Sequence, residues 1–224
     1  MAFKTELHCH TAEVSPCAVR TASYVVEKYV EAGFSTLFIT DHFRYYSLDY
    51  AGVTWKEQVD HYLAGYRKAK ECAKGRLHVL PGIELQFVGE HSDFLVLGID
   101  ESFLYENPKI HKMTLESLRA ILPPDAIIVQ AHAFRSGITI TDPALLDGME
   151  AYNGGTADAN NEFAELWADR YGLIKISGSD YHGGPVTRIN GGIVTDEPIT
   201  SPAQLVRILR DKSYSLIKKG IAEC

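Results

Sequence analysis

An α/β fold with mostly parallel strands is predicted by three features of the sequence. Short apolar segments of strand character alternate with amphipathic helical segments about seven times along the chain. The chain has 224 residues, enough for one domain with a sizeable core and short for two. No linker, low-complexity tract or internal repeat divides it, so residues 1–224 are expected to form a single domain. A barrel and a doubly wound sheet both satisfy this alternation.

The elements follow in order. Residues 6–10 read as a strand. Residues 21–32 read as a helix, with Tyr24, Val25, Tyr29 and Ala32 on one face and Gly33 as its stop. Residues 36–40 are a second strand. Residues 55–73 read as one long helix whose buried stripe is Val59, Tyr62, Leu63, Tyr66 and Ala69, ended by Gly75. Strands are expected over 77–83 and 94–99. A helix over 111–122 is stopped by Pro123 and Pro124. Strands over 126–130 and 148–152 precede a helix over 160–171. A strand over 174–177, a late helix over 202–210 and a short strand over 214–217 complete the pattern.

Composition excludes several classes. Apolar residues make up 46% and charged residues 23%, which rules out collagen, coiled coil and wholesale disorder. The 22 basic and 29 acidic residues sum to −7. A phosphate backbone demands clustered Lys and Arg, so this balance argues against stable nucleic-acid binding. It says little about a small anionic substrate, because bound metal ions invert the local field. Cys9, Cys17, Cys72 and Cys224 form no Cys-x-x-Cys pair, and a reducing compartment is expected. No apolar run approaches the ~20 residues that span a bilayer. The N-terminal residues carry no signal-peptide core. A cytoplasmic protein without membrane contact is therefore expected.

The chemistry is read from the residues that close the strands. His8 and His10 alternate on one strand, so both side chains leave the same face. Asp41 and His42 follow the second strand, Glu84 the strand ending at Ile83, and His132 the strand ending at Gln130. Asp180 and His182 come just after the strand over 174–177. Five strands thus end in His, Asp or Glu. In a parallel α/β fold these ends share one face, where active sites are built. Imidazole and carboxylate suit zinc, manganese or iron. The donors outnumber what one tetrahedral ion needs, and Glu84 is the candidate bridge between two ions ~3.5–4 Å apart. A lone strand-end His is more often a capping or surface residue, and His61, His78 and His111, which lack such company, are read as structural or solvent-exposed.

The ordered motifs Leu7-His8-Cys9-His10-Thr11, Ile39-Thr40-Asp41-His42, Gly82-Ile83-Glu84, Ala131-His132 and Gly178-Ser179-Asp180-Tyr181-His182 make the chain resemble the PHP (polymerase and histidinol phosphatase) family. They run from residue 7 to residue 182 in the family's order. The resemblance implies a distorted seven-stranded β/α barrel, a relative of the TIM barrel, with two or three divalent ions in its mouth and phosphoester hydrolysis as its activity. Carried over, it implies that His8, His10, Glu84 and Asp180 hold one ion. Glu84 would bridge to a second ion also bound by His132, and His42 and His182 would hold a third. Two positions depart from the family pattern. In the loop after the first motif, where many members have Asp or His, Glu13 is the favoured ligand and Cys17 a softer alternative. Where many members have His at the head of an apolar strand, this chain has Asp93, with His91 two residues earlier. Asp93 lies at the start of its strand, against the rule that ligands close strands, so its assignment rests on the resemblance.

A phosphate ester also needs protein cations. Arg135, three residues after His132, is the expected clamp on a phosphate oxygen, and Arg188 a second candidate better read as a surface residue. Glu150 and Asn153 close another strand and are placed to line the pocket or steady a ligand from behind. Tyr45 and Tyr46 would cover the rim or face a substrate ring. The expected reaction is hydrolysis of a small phosphomonoester by a hydroxide activated by two or three ions, with Arg135 stabilising phosphoryl charge. Asp41 or His182 is the candidate to protonate the leaving alkoxide. The rivals are a histidinol phosphatase, a nucleotide phosphatase stacking a base on Tyr45, and a non-catalytic metal-stabilised module working with a partner chain. An amidohydrolase-like enzyme is a further rival, although no Lys ends a strand here. The oligomeric state is not legible.

Overall fold

The computed structural model describes residues 2–222, so the expectation for Cys224 lies outside the described residues. Strand β1 (Phe3–Glu6) pairs in parallel with β2 (Phe34–Ile39), and β2 in parallel with β4 (His78–Pro81). Beyond a break at Thr40 and Asp41, the chain of β2 resumes as β3 (His42–Phe43). Beyond Gly82, the chain of β4 resumes as β5 (Ile83–Gln86) and pairs in parallel with β3. The backbone carries the ladder across both breaks, with Gly82 N donating to Ile39 O at 3.1 Å and Glu84 N to Asp41 O at 3.1 Å. The sheet continues through β6 (Asp93–Leu97), β7 (Ile127–Gln130), β8 (Gly148–Asn153) and β9 (Ile174–Gly178).

Just past β9, Tyr181 forms a parallel bridge with Cys9, just past β1. His10 N donates to Tyr181 O at 3.0 Å there. Taking each broken strand as one stave, seven staves follow one another around a distorted TIM-barrel-like fold. On its other edge the lower part of β1 pairs antiparallel with β10 (Ile193–Thr195), which leads to β11 (Ser215–Lys218) and β12 (Ile221–Ala222).

Strand β6 is antiparallel to both neighbours. The segment between β5 and β6 has no helix, and a tight connection of this kind can only return the chain antiparallel. The start of β6 therefore lies where the other staves end, and Asp93 pairs with Gln86, the last residue of β5. This reversal removes the geometric objection to Asp93 raised by its position at the head of a strand.

Alternation along the staves separates two cores. Leu7, Phe38, Leu80, Leu95, Leu97, Ile127, Val129 and Ile176 share one cluster with Leu205, Val206, Ile208 and Leu209. The last four belong to α8, the helix Pro202–Arg210, which packs its apolar face against that inner core. The intervening residues Leu37, Ile39, Val96 and Ile128 join the outer cluster, where the helices pack.

The helices are α1 (Ala22–Glu31), α2 (Tyr45–Leu48), α3 (Trp55–Tyr62), α4 (Ala64–Ala73), α5 (Glu101–Glu106), α6 (Leu115–Ile121), α7 (Asp158–Tyr171) and α8. The single helix expected over 55–73 is two, joined at Leu63, because the apolar stripe is continuous across the break and periodicity cannot register it. The helix expected over 111–122 begins later, at a Thr114 cap whose side chain accepts from Ser117 N. Its first residues form a separate 3-10 turn, Ile110–Lys112. Helices α2 and α5 and strands β3, β10 and β12 were not foreseen; they are short, with few residues to establish a period. Among the described residues no helix is long and apolar enough to cross a membrane.

Candidate metal centre

The stave ends gather His8, His10, His42, Glu84, Asp93, His132, Asp180 and His182 at one face. Glu84 lies at the middle. Its Oε1 is 3.1 Å from His8 Nε2 and 2.9 Å from His132 Nε2, and its Oε2 is 3.5 Å from His10 Nε2 and in close contact with His42 Nδ1. Asp180 Oδ1 is 3.5 Å from His8 Nε2, 3.3 Å from His10 Nε2 and 3.3 Å from His182 Nδ1. Asp93 Oδ2 is 3.8 Å from His132 Nε2. Four overlapping triads bring one donor atom each within 4.8 Å: His8–His10–Glu84, His8–His132–Asp180, Glu84–Asp93–His132 and His10–His42–His182.

These donors fit divalent ions. His8 Nε2, His10 Nε2, His42 Nδ1 and Glu84 Oε2 are buried without a hydrogen-bond partner. Unsatisfied polar atoms are costly, and several converging on one spot mark a shared ligand. Donors held about 2.1 Å from an ion stand roughly 3–3.5 Å from one another, which is the spacing seen here. His42 turns Nδ1 to Glu84 Oε2, which leaves its Nε2 on the side of Cys17.

The ligand rings are oriented from behind. His8 Nδ1 lies 2.8 Å from Glu150 Oε1. A carboxylate only accepts, so Nδ1–H donates and the Nε2 lone pair faces the centre. The same carboxylate's Oε2 accepts from His132 N at 2.9 Å and from Asn153 Nδ2 at 2.8 Å. Ser15 Oγ donates to Asp41 Oδ1 at 2.7 Å and accepts from His42 N at 3.0 Å. His10 Nδ1, 3.2 Å away, must then donate to Ser15, which leaves His10 Nε2 as the lone pair. Gly178 permits this packing, because a Cβ there would stand 2.4 Å from His8 Cβ and 2.7 Å from Glu150 Oε1. His132 and Asp180 adopt φ of 30° and 51°, a left-handed backbone that costs non-glycine residues on the order of 1–3 kcal/mol.

The electrostatics show what the centre demands. Burial opposes ionisation of Glu84, but His42 and His8 outweigh it and hold the carboxyl well below its usual range. Asp180 is likewise held low by His8 and His10 against its burial. In return His8 is pushed well above the usual imidazole range despite burial, by Glu150, Asp180 and Glu84, and His42 to about 9 by Glu84. Burial and the neighbouring His42 push His10 down. Burial and repulsion from Glu84 raise Asp93 to about 6. The carboxylates thus recruit protons onto imidazoles, a task that cations would take over if bound.

Two expected residues make other contacts in this structure. Asp41 does not face the centre: Oδ1 accepts from Thr11 N at 2.7 Å and from Ser15 Oγ, and Oδ2 from Thr11 Oγ1 at 2.7 Å. It clamps the loop after the first motif, and Gly65 of α4 admits this contact, since a Cβ there would stand 2.1 Å from Thr11 Oγ1. Burial outweighs these bonds and raises its carboxyl to about 6. Glu13 is also turned away from the ligands. Its two oxygens accept from Ala22 N at 3.1 and 2.9 Å, where the N-terminus of α1 attracts a carboxylate. Cys17 instead approaches the cluster, with Sγ 3.0 Å from His42 Nε2. Hydrogen bonds from His182 and His42 outweigh its partial burial and pull the thiol down to about 6.

Arg135 borders the centre. Nη2 donates to Asp180 Oδ2 at 2.6 Å and Asn153 Oδ1 at 2.8 Å, and Nε to Thr156 Oγ1 at 2.8 Å. Its Nη1 has no partner among the described residues. Arg188 and His91 are exposed, as are the rim residues Tyr45 and Tyr46. His61 and His78 are exposed, and His111 is buried with Nε2 3.2 Å from Asp49 Oδ1. Sequence reasoning missed Glu6, which accepts from Leu7 N, His8 N, Ser179 N and Tyr29 Oη at 2.8–3.0 Å and so pins the first motif to the last. The available signal was an acid in a strand position directly before His-x-His. Ser15 was also missed; nothing in the sequence distinguishes it from other loop serines.

Comparison with known proteins agrees with this architecture. No protein-family model matches the chain, and no curated protein does. Among solved structures, it is similar over 99% of its length, with a TM-score of 0.70 and 14% identity, to a two-domain protein from Bacteroides vulgatus described as containing a predicted PHP-like metal-dependent phosphoesterase. The chain spans 66% of that protein's length. A protein from Bifidobacterium adolescentis described as a "putative metal-dependent phosphoesterase" matches 92% of the chain with 95% of its own length, a TM-score of 0.54 and 19% identity. An amidohydrolase from Chromobacterium violaceum, solved with sulfate and no metal, matches 96% of the chain with 98% of its own, a TM-score of 0.59 and 16% identity. The fold is therefore that of PHP-like phosphoesterases and a related amidohydrolase.

Proposed function

We propose that the protein is a metal-dependent phosphoesterase that hydrolyses a small phosphomonoester with two or three divalent ions. The observation that carries this reading is Glu84, whose two oxygens are shared between the His8–His10 side and the His132–Asp93 side of the centre. Glu84, His8, His10 and Asp180 would hold one ion, Glu84, His132 and Asp93 a second, and His42 and His182 a third. When bound, zinc, manganese or iron supplies a water activated near neutral pH and positive charge opposite the phosphoryl oxygens.

The chain's own residues do the rest. Glu150 and Ser15 hold His8 and His10 with their lone pairs inward. Arg135, fixed by Asp180, Asn153 and Thr156, presents Nη1 to a phosphate oxygen with little freedom left to lose on binding. His182 Nδ1 lies 2.9 Å from Asp180 O, which holds its proton, so this ring is assigned to ligation rather than to leaving-group protonation. Asp41, clamped in its loop, takes no part in proton transfer.

The test compares aryl phosphate, amide and lactone hydrolysis by protein loaded with manganese or zinc. Phosphate turnover abolished in His8→Ala and Asp180→Ala is expected. Turnover of amides or lactones alone would place the protein with amidohydrolases, and metal binding without turnover would make it a binding module.

A further inference from the structure

The wall of the centre built from Cys17, His42 and His182 differs chemically from the rest. Cys17 Sγ stands 3.0 Å from His42 Nε2. His182 turns Nδ1 to Asp180 O at 2.9 Å, so Nε2 carries the lone pair of that ring. Behind them His10 stacks on His182 with centroids 4.1 Å apart, and its fully buried Nε2 lacks a hydrogen-bond partner. His10, His42 and His182 offer donor atoms within 4.8 Å of one another. The one carboxylate of the 11–17 loop, Glu13, is occupied at the N-terminus of α1.

We propose that Cys17 is a protein ligand of the ion held by His42 and His182, making that site a mixed thiolate–imidazole one. This rests on the metal centre proposed above and concerns its outermost ion alone. On binding, the thiol proton leaves to solvent and a sulfur–metal bond forms. The sulfur adds an anionic donor to the two imidazoles of this wall. Soft thiolate favours zinc or iron(II) over manganese, so this position selects a different ion from the carboxylate-rich positions beside Glu84 and Asp93.

The experiment loads the protein with cobalt(II) and records the near-ultraviolet thiolate-to-cobalt charge-transfer band. Zinc bound per chain is counted in parallel. A band is expected in the wild type and in Cys72→Ser/Cys224→Ser. Cys17→Ala should lose the band and one zinc ion per chain. Cys17→His should regain the ion without the band, which separates ligation from a folding defect. Glu13→Gln should keep both. A wild type without the band, a band surviving in Cys17→Ala, or an ion lost in Glu13→Gln but kept in Cys17→Ala would overturn the proposal. Neither readout needs a substrate. A protein that shows band and stoichiometry yet cleaves no phosphoester would leave this assignment standing and remove the proposed function, and an active phosphatase without the band would do the reverse.

Discussion

Replacing Glu150 by Gln tests whether the centre is organised from behind its ligands. Glu150 accepts three hydrogen bonds, from His8 Nδ1, His132 N and Asn153 Nδ2, at 2.8, 2.9 and 2.8 Å. Gln has one acceptor oxygen and one NH2 group. If its oxygen keeps His132 N and Asn153, its NH2 group faces His8 Nδ1. His8 must then turn its lone pair to the amide and carry its proton on Nε2, which points at Glu84 and Asp180 and can no longer ligate. Removing such an orienting group costs about 10–100-fold in metal affinity, or roughly 1.4–2.7 kcal/mol. The ion-free protein should lose about 1–3 kcal/mol because the Glu150 charge no longer supports protonated His8, and about 2–4 °C in Tm per kcal/mol. The assay is zinc titration against a competing chelator, with thermal unfolding of the ion-free protein beside it. Affinity within twofold of wild type, with Tm lowered, would show that Glu150 serves packing alone and would refute the reasoning.

Three further outcomes are expected. Metal binding at pH 7 should release protons, because His8 lies well above its usual range and His42 near 9 in the ion-free protein, and ligation needs both rings neutral. For His42 alone the cost is about 2.7 kcal/mol at pH 7, so apparent affinity should rise about tenfold per pH unit per released proton until pH passes its pKa. Calorimetry in buffers of different ionisation heat measures this, and an absence of proton release would contradict the charge balance drawn here. Gly178→Ala should cost about 1–3 kcal/mol in urea unfolding and also lower the bound metal, since the new Cβ meets both His8 and Glu150; wild-type values for both would refute the close packing. Asp41→Asn should cost about 1 kcal/mol of stability and leave the acid limb of the pH–rate profile in place. A drop of about 10²–10⁴-fold in rate would return Asp41 to the role of general acid.

Much of the centre was legible because chemistry and topology coincide. Ligands that close parallel staves must share a face, so His8, His10, His42, Glu84, His132 and Asp180 could be grouped before any coordinate was known. Asp93 broke that rule because strand direction is not written in a residue pattern. Apolar alternation reads the same in both directions, and only the pairing of β6 with β5 and β7 shows the reversal. The contacts of Asp41 and Glu13 were not legible for a related reason. An acid beside a motif looks the same whether its carboxylate meets a metal or the backbone N–H of a loop or helix end, and the choice is made by donors distant in sequence. Asp41 is set by Thr11 and Ser15, and Glu13 by Ala22.

The sequence by itself determined the α/β alternation, the absence of a dividing linker, and the set of imidazole and carboxylate donors, because these follow from local period and residue chemistry. Tertiary structure alone decided which donors converge. It reversed β6 to bring Asp93 to the mouth, broke two staves at Thr40–Asp41 and at Gly82, and turned Glu13 outward while bringing Cys17 to His42. It also placed Glu6, Ser15 and Glu150 behind the ligands. The reason is that a side chain's partner is fixed by packing between distant segments, as for Glu6 and Ser179, 173 positions apart, and no local period carries that distance.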